Sequence, residues 1–80
     1  MLSQGVSVVR LRDIREDKDL TQTAVAQFLH IRQSTYSQYE TGQRQIPIVT
    51  LMRLAEYLET SVDYILGMTD EPKPYPKAKR

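Results

Sequence analysis

Apolar residues recur every three or four positions in five successive segments of the chain, the spacing that places them on one face of an α-helix. No segment alternates apolar and polar residues in the manner of a half-buried strand. Short helices are marginal in isolation, so the five segments must bury their apolar faces against one another. The sequence therefore predicts an all-α bundle whose helices begin near Val6, Thr21, Gln33, Pro47 and Ser61.

Residues that begin or end helices stand at the borders of these segments. Thr21 and Ser61 are suitable N-caps, because a hydroxyl accepts a hydrogen bond from a free N–H of the first turn. Pro47 suits the first turn of the fourth helix, and Gly42 suits the left-handed residue that follows the third. The first helix should run from about Val6 to Lys18. The residues expected on the apolar stripes of the first, second and fourth helices are Val8, Leu11, Ile14, Val25, Ala26, Leu29, Ile48, Leu51, Leu54, Ala55 and Leu58.

Composition narrows the functional classes. Eighty residues suffice for one domain, and the absence of cysteine excludes disulfides, thiolate nucleophiles and zinc–thiolate sites. Neither a membrane-spanning apolar run nor an export signal is present, so no membrane association is expected and the cytoplasm is the expected location. His30 is the single histidine, and no second ligand is spaced to join it. We therefore predict no catalytic residue, no metal site, no cofactor and no enzyme activity.

The last eleven residues differ from the rest of the chain. Residues 70–80 contain three prolines, four basic residues and one aromatic residue, a composition that cannot offset the entropy of ordering. The sequence thus predicts a helical domain over residues 1–69 and a disordered tail over 70–80. The tail is either a solvated terminus or a basic arm that touches phosphates.

The third segment, from Gln33 to Thr41, has an unusual outer face. Tyr36, Tyr39 and Glu40 point inward, and only about three residues connect this segment to the preceding one, so the helix should protrude. A solvated face normally carries Glu, Lys or Arg, whereas serine and threonine are mediocre helix formers. Amides and hydroxyls suit the reading of base edges, and glutamine can donate and accept at once, which matches adenine. These neutral polar residues are Gln33, Ser34, Thr35, Ser37 and Gln38.

At these positions the chain resembles the Cro/repressor-type, or XRE-type, helix-turn-helix family. The resemblance covers LRDIREDKDLTQ (11–22), VAQFL (25–29), QSTYSQYETG (33–42) and SVDYILG (61–67). It implies a five-helix, lambda-repressor-like domain that binds double-stranded operator DNA and regulates transcription. We expect a repressor that reads a pseudo-palindromic operator as a homodimer, weak without DNA. The expected dimer interface lies where the fourth and fifth helices approach the two-fold axis, and its exposed candidates are Tyr57, Thr60, Val62 and Tyr64.

The resemblance also assigns roles to individual residues. Base readout falls to Gln33, Ser34 and Gln38, with Thr35 and Ser37 beside them. Phosphate contacts are implied for Gln22 and for Arg44, and an arginine at position 32 can reach a phosphate as well. Arg15 and Glu40 match a pair that ties the first helix to the third.

The chain departs from the family pattern at four positions. Asp19, His30 and Glu59 stand where the family usually has a glycine in a left-handed turn. Arg32 replaces the serine or threonine that usually caps the recognition helix. These changes concern local turns, and the expected fold is the same.

A second function is compatible with the same fold. An antitoxin-like or anti-repressor module uses the fold to bind another protein and does not read DNA. Such a module would bury its tyrosine-bearing surfaces against a partner chain. The helical spacing of Tyr36, Tyr39, Tyr57 and Tyr64 favours packing within the domain over a stacking platform for single-stranded nucleic acid.

Overall fold

A computed structural model describes residues 10–76 of the chain. Over this range the backbone forms five helices and no strand: α1 (Leu11–Asp17), α2 (Gln22–Leu29), α3 (Gln33–Thr41), α4 (Ile48–Tyr57) and α5 (Val62–Ile65). The predicted all-α class is confirmed. The part of the first predicted helix before residue 10, with Val8, lies outside the described residues. No helix within the described range has the length and hydropathy to cross a membrane.

Most helix ends follow the local signals in the sequence. The hydroxyl of Thr21 accepts a hydrogen bond from the Ala24 N–H at 3.0 Å, and that of Ser61 accepts one from the Tyr64 N–H at 3.0 Å. Gly42 ends α3 in the left-handed conformation, with φ of 82°. Pro47 departs from the prediction. It is the N-cap of α4 in an extended conformation, so the helix begins one residue later, at Ile48.

The core is apolar and draws on every helix. Tyr36, Leu54 and Leu58 are completely buried, and the tyrosine ring brings α3 into the same core as α4. Ile48 was expected on the apolar stripe of α4, but its side chain is 62% exposed, and Ile46 is buried in the loop before the helix instead. The extended backbone at Pro47 separates these two isoleucines. The other buried apolar residues are Leu11, Ile14, Val25, Ala26, Leu29, Tyr39, Leu51, Ala55 and Ile65.

Helices α2 and α3 pack on each other and form the helix-turn-helix unit. Only residues 30–32 connect them. His30 turns the chain in the left-handed conformation, with φ of 60°, and the Ile31 N–H donates to the Ala26 carbonyl at 3.0 Å. This tight reversal directs α3 away from α2 with one side on the core and the other in solvent.

Residues 70–76 form no helix or strand and lie mostly exposed, yet they contact the domain. The Thr60 hydroxyl donates to the Pro72 carbonyl at 2.7 Å, and the Tyr75 hydroxyl donates to Asp63 Oδ2 at 2.8 Å. Thr60 was expected to be exposed, and this is wrong: only 6% of its surface is accessible. The division of the chain at residue 69 stays a prediction.

Candidate nucleic-acid interface

The outer side of α3 presents a continuous uncharged polar surface. Gln33 and Ser34 are exposed, and Thr35, Ser37 and Gln38 are half-buried. On the opposite side Tyr36 and Tyr39 are 0% and 7% exposed. Two rigid aromatic anchors therefore hold α3 against the core, so its polar side chains project from a fixed support.

A buried ion pair joins α3 to α1. Arg15 Nε donates to Glu40 Oε2 at 2.6 Å, and Arg15 Nη2 donates to Oε1 of the same carboxylate at 3.3 Å. The two side chains are 10% and 3% exposed. Arg15 Nη1 also donates to the Leu20 carbonyl at 2.7 Å, which connects the pair to the turn before α2. The guanidinium thus links three parts of the domain behind the polar surface.

The surroundings of Glu40 favour its ionised form. Burial by itself disfavours the carboxylate, but hydrogen bonds from Arg15 and Gln22 outweigh that cost and lower the pKa of Glu40 below its ordinary value. The hydrogen bond to Glu40 in turn raises the pKa of Arg15. Burial, followed by the neighbouring carboxylate, raises the pKa of the Tyr36 phenol. The Tyr36 hydroxyl itself makes no contact within hydrogen-bond geometry among residues 10–76.

A chain of amides extends from this ion pair to the surface. Gln22 Nε2 donates to Glu40 Oε1 at 3.0 Å, and Gln33 Nε2 donates to Gln22 Oε1. Because a carboxylate only accepts, Glu40 determines which end of the Gln22 amide faces outward. Gln22 then determines the orientation of Gln33. The free carbonyl oxygen and second N–H of Gln33 are therefore both available at the N-terminal end of α3.

A second contact lies at the other end of α3. Arg44 Nε donates to Gln38 Oε1 at 2.9 Å, and the Arg44 backbone N–H donates to the Gln38 carbonyl at 3.2 Å. Sequence reasoning placed both residues at the interface but did not find this contact. The six-residue separation across a loop gives no helical spacing from which to infer it.

Arg32 is exposed at the N-cap of α3, with an extended backbone and no side-chain cap. This agrees with the expectation from sequence. Together with the side chains above, every residue predicted for the site lies on α3, on its flanking turns, or directly behind it.

The three residues that stand where the family usually has a glycine all adopt the left-handed conformation. Asp19, His30 and Glu59 have φ values of 57°, 60° and 58°. Each follows a helix and turns the chain toward the next one. In the part of the chain that the structure describes, no group of three or more His, Cys, Asp or Glu side chains is placed to hold a metal ion.

The chain is similar to known helix-turn-helix proteins. A helix-turn-helix family model matches residues 11–65. The HTH-type transcriptional regulator YobD of Bacillus subtilis, itself described as uncharacterized, is 42% identical over 81% of this chain and 58% of its own length. The HTH-type transcriptional regulator AnsR of the same organism is 33% identical over 86% of this chain and 60% of its own length. The chain thus spans about three-fifths of these relatives.

Similarity also extends to a much larger protein. The HTH-type transcriptional regulator PrpR of Mycobacterium tuberculosis is 35% identical over 85% of this chain, which corresponds to 14% of its own length. No solved structure is significantly similar to the chain. The family match covers all five helices, and the matched region includes the polar face of α3 and the ion pair behind it. The chain therefore belongs to the XRE-type helix-turn-helix family of transcriptional regulators.

Proposed function

We propose that this domain binds double-stranded DNA in a sequence-specific manner, with α3 in the major groove, and represses transcription by occupying an operator. The observation that carries the proposal is the uncharged polar face of α3, anchored by two buried tyrosines and the Arg15–Glu40 pair. A major groove about 12 Å wide admits one helix, and amides and hydroxyls on that helix match the donor and acceptor pattern of base edges.

Base readout is assigned to the side chains on the outer face of α3. Gln33 offers a free oxygen and an N–H after its bond to Gln22, which is the pair of groups that adenine N6 and N7 require. Ser34 is exposed beside it and can donate or accept. Thr35, Ser37 and Gln38 are half-buried and complete the reading surface toward the C-terminal end of α3.

Phosphate contacts are assigned to the residues that border α3. Arg32 and Arg44 are exposed at its two ends, and Gln22 lies at the N-terminus of α2, where backbone N–H groups also attract anions. Phosphate contacts set the register of the protein on the duplex without carrying sequence information. One cation at each end of the reading helix suits that role.

Selection of preferred sites from random duplex DNA tests the proposal directly. Gln33→Ala should flatten the preference at particular positions, with a loss of about 1–3 kcal/mol of discrimination per base pair read. Arg32→Ala should weaken binding to the selected and the scrambled duplex alike. Lys18→Ala is the matched control, because it removes one positive charge from an exposed position at the end of α1.

Two outcomes would contradict the proposal. Selection that yields no preferred sequence would remove specific readout from this domain. Equal losses on both duplexes for Gln33→Ala would remove Gln33 from the reading surface. Repression is tested separately, by placing the selected site within a promoter and measuring reporter output with and without the protein.

A further inference from the structure

The contact between Arg44 and Gln38 gives Arg44 a second role. We propose that Arg44 is a specificity-determining residue: it binds the carbonyl oxygen of the Gln38 side chain, so that Gln38 presents N–H donors to the DNA and reads an acceptor edge, on guanine or thymine. The inference rests on the proposed function, because it concerns the base that one position of α3 prefers.

The chemistry of the two groups determines the orientation of the amide. A guanidinium has five donors and no acceptor, so the Gln38 atom bound to Arg44 Nε at 2.9 Å must be the oxygen. The amide cannot flip without placing its NH₂ group against the cation. The remaining guanidinium nitrogens can still contact a phosphate, so one side chain can serve both roles.

The backbone holds Arg44 in position for this contact. Its N–H donates to the Gln38 main-chain carbonyl at 3.2 Å, and the Thr41 hydroxyl donates to the same carbonyl at 3.2 Å. Gly42 supplies the left-handed turn between them, with φ of 82°. Arg44 is therefore attached to Gln38 at both the main chain and the side chain.

The two glutamines of α3 are thus polarised in different ways. Gln33 gives one N–H to Gln22 and retains its oxygen, whereas Gln38 gives its oxygen to Arg44 and retains both N–H groups. The positive charge beside the Gln38 oxygen also repels an amino group that would approach it. A hydrogen bond accepted by the amide oxygen polarises the amide group. The Gln38 N–H groups therefore become better hydrogen-bond donors.

The four bases differ in how well their major-groove edges match the N–H donors of Gln38. In the major groove guanine presents two acceptors, N7 and O6, and thymine presents O4. Adenine presents an acceptor beside an amino donor, and cytosine presents an amino donor. A glutamine whose oxygen is bound by a cation and whose N–H groups are free therefore favours guanine or thymine, whereas an unrestrained glutamine matches adenine.

Site selection with four proteins tests the inference. Gln38→Ala identifies the base position that Gln38 reads, since preference is lost there in comparison with the wild type. The wild type should prefer guanine or thymine at that position. Arg44→Ala should shift the preference there toward adenine by about fivefold or more, because the freed amide can donate and accept. Arg32→Ala, the matched control at the other end of α3, should lower affinity and leave that preference unchanged.

A change of polarity at position 38 gives an independent reading. Gln38→Glu keeps a partner for Arg44 but replaces the N–H donors by an acceptor, so the preferred base should become cytosine or adenine. Circular dichroism and unfolding midpoints establish that each variant is folded. Retention of the guanine or thymine preference by Gln38→Glu would overturn the inference.

Other outcomes separate this inference from the proposed function. A wild-type preference for adenine at the Gln38 position, no affected position in Gln38→Ala, or an equal loss on all four bases in Arg44→Ala would overturn the role of Arg44 while specific binding stands. Absence of any selected sequence would overturn the proposed function itself.

Discussion

Glu40 and Arg15 form a buried ion pair, in which each charge is compensated by the other. Glu40→Ala would leave the guanidinium of Arg15 buried without its carboxylate, at an expected cost of about 3–5 kcal/mol in the free energy of unfolding. Denaturant unfolding measures this cost. Arg12→Ala is the control, since the Arg12–Glu16 pair is exposed and contributes about 0–1 kcal/mol. An unchanged midpoint for Glu40→Ala would mean that the pair has no structural role.

The pKa of Glu40 predicts how stability depends on pH. Folding lowers this pKa below its ordinary value of 4.5, so the folded state holds the proton less tightly than the unfolded state. The contribution of Glu40 to stability is therefore complete above about pH 4.5 and is lost as the pH falls through the lower, folded-state value. Unfolding midpoints from pH 7 down to acid should show a decline below that point. Glu40→Gln should show a smaller decline, and an identical pH profile would contradict the assignment.

For individual residues, the sequence indicated which side chains pair but not the direction of each hydrogen bond. The resemblance paired Arg15 with Glu40, and the structure has these side chains 2.6 Å apart. The orientation of Gln38 depends on Arg44, which contacts it from the loop between α3 and α4. An amide offers a donor and an acceptor at similar positions, so its orientation follows from its neighbours and not from its own identity.

At the scale of helices, local chemistry predicted most boundaries. Thr21, Gly42 and Ser61 act within one turn of their own position, so their effects can be read from neighbouring residues alone. The predicted start of α4, at Pro47, is one residue too early, since proline is compatible both with the N-cap and with the first turn. Neighbouring residues do not distinguish the two, and in the structure Ile46 is buried while Ile48 is exposed.

At position 32, the N-cap of α3, serine would favour helix stability and arginine favours the proposed phosphate contact. Arg32→Ser should therefore change stability and DNA affinity in opposite directions. Serine at this N-cap would accept a hydrogen bond from the first turn and should stabilise the domain by about 1 kcal/mol. The same change removes a cation from the proposed phosphate contacts and should weaken binding to all sequences equally. Unfolding midpoints and duplex titrations measure the two effects. A variant that is less stable, or that loses affinity for only one sequence, would contradict this assignment.

For the whole molecule, long-range contacts were the part that sequence patterns missed. The disorder of residues 70–80 stays a prediction from composition, which did not indicate that Pro72 and Tyr75 contact residues twelve positions earlier. Asp63 raises the pKa of the Tyr75 phenol by accepting its hydrogen bond. Composition describes the average tendency of a segment and carries no information about such specific partners.

Truncation after Thr69 tests whether the tail contributes to DNA binding. Arg10 is engaged by Asp70 and by the Tyr64 and Thr69 carbonyls, so we propose Arg32 and Arg44 as the main phosphate contacts of each bound copy. Two subunits that neutralise about 4–5 phosphates predict a log–log salt slope of about −4. We expect truncation to leave this slope unchanged, because Arg10 keeps its contacts with the Tyr64 and Thr69 carbonyls when Asp70 is removed. A shallower slope after truncation would assign phosphate contacts to the basic residues of the tail.

Assembly on DNA follows from the small size of the reading surface. A single recognition helix contacts only a few base pairs, too few to select one site among the competitors in a genome, so we propose that two copies bind symmetric half-sites about 34 Å apart. With Thr60 covered by Pro72, the half-buried residues at the junction of α4 and α5 are the remaining candidates for the interface, namely Tyr57, Val62 and Tyr64.

The chain should sediment mainly as a monomer at micromolar concentration and as two copies on a pseudo-palindromic duplex. Val62→Asp places a charge at the first position of α5, so it should bind an isolated half-site as the wild type does and lose cooperative binding to the full site. A complex of one protein per full palindrome, with the wild-type chain, would contradict the symmetric arrangement.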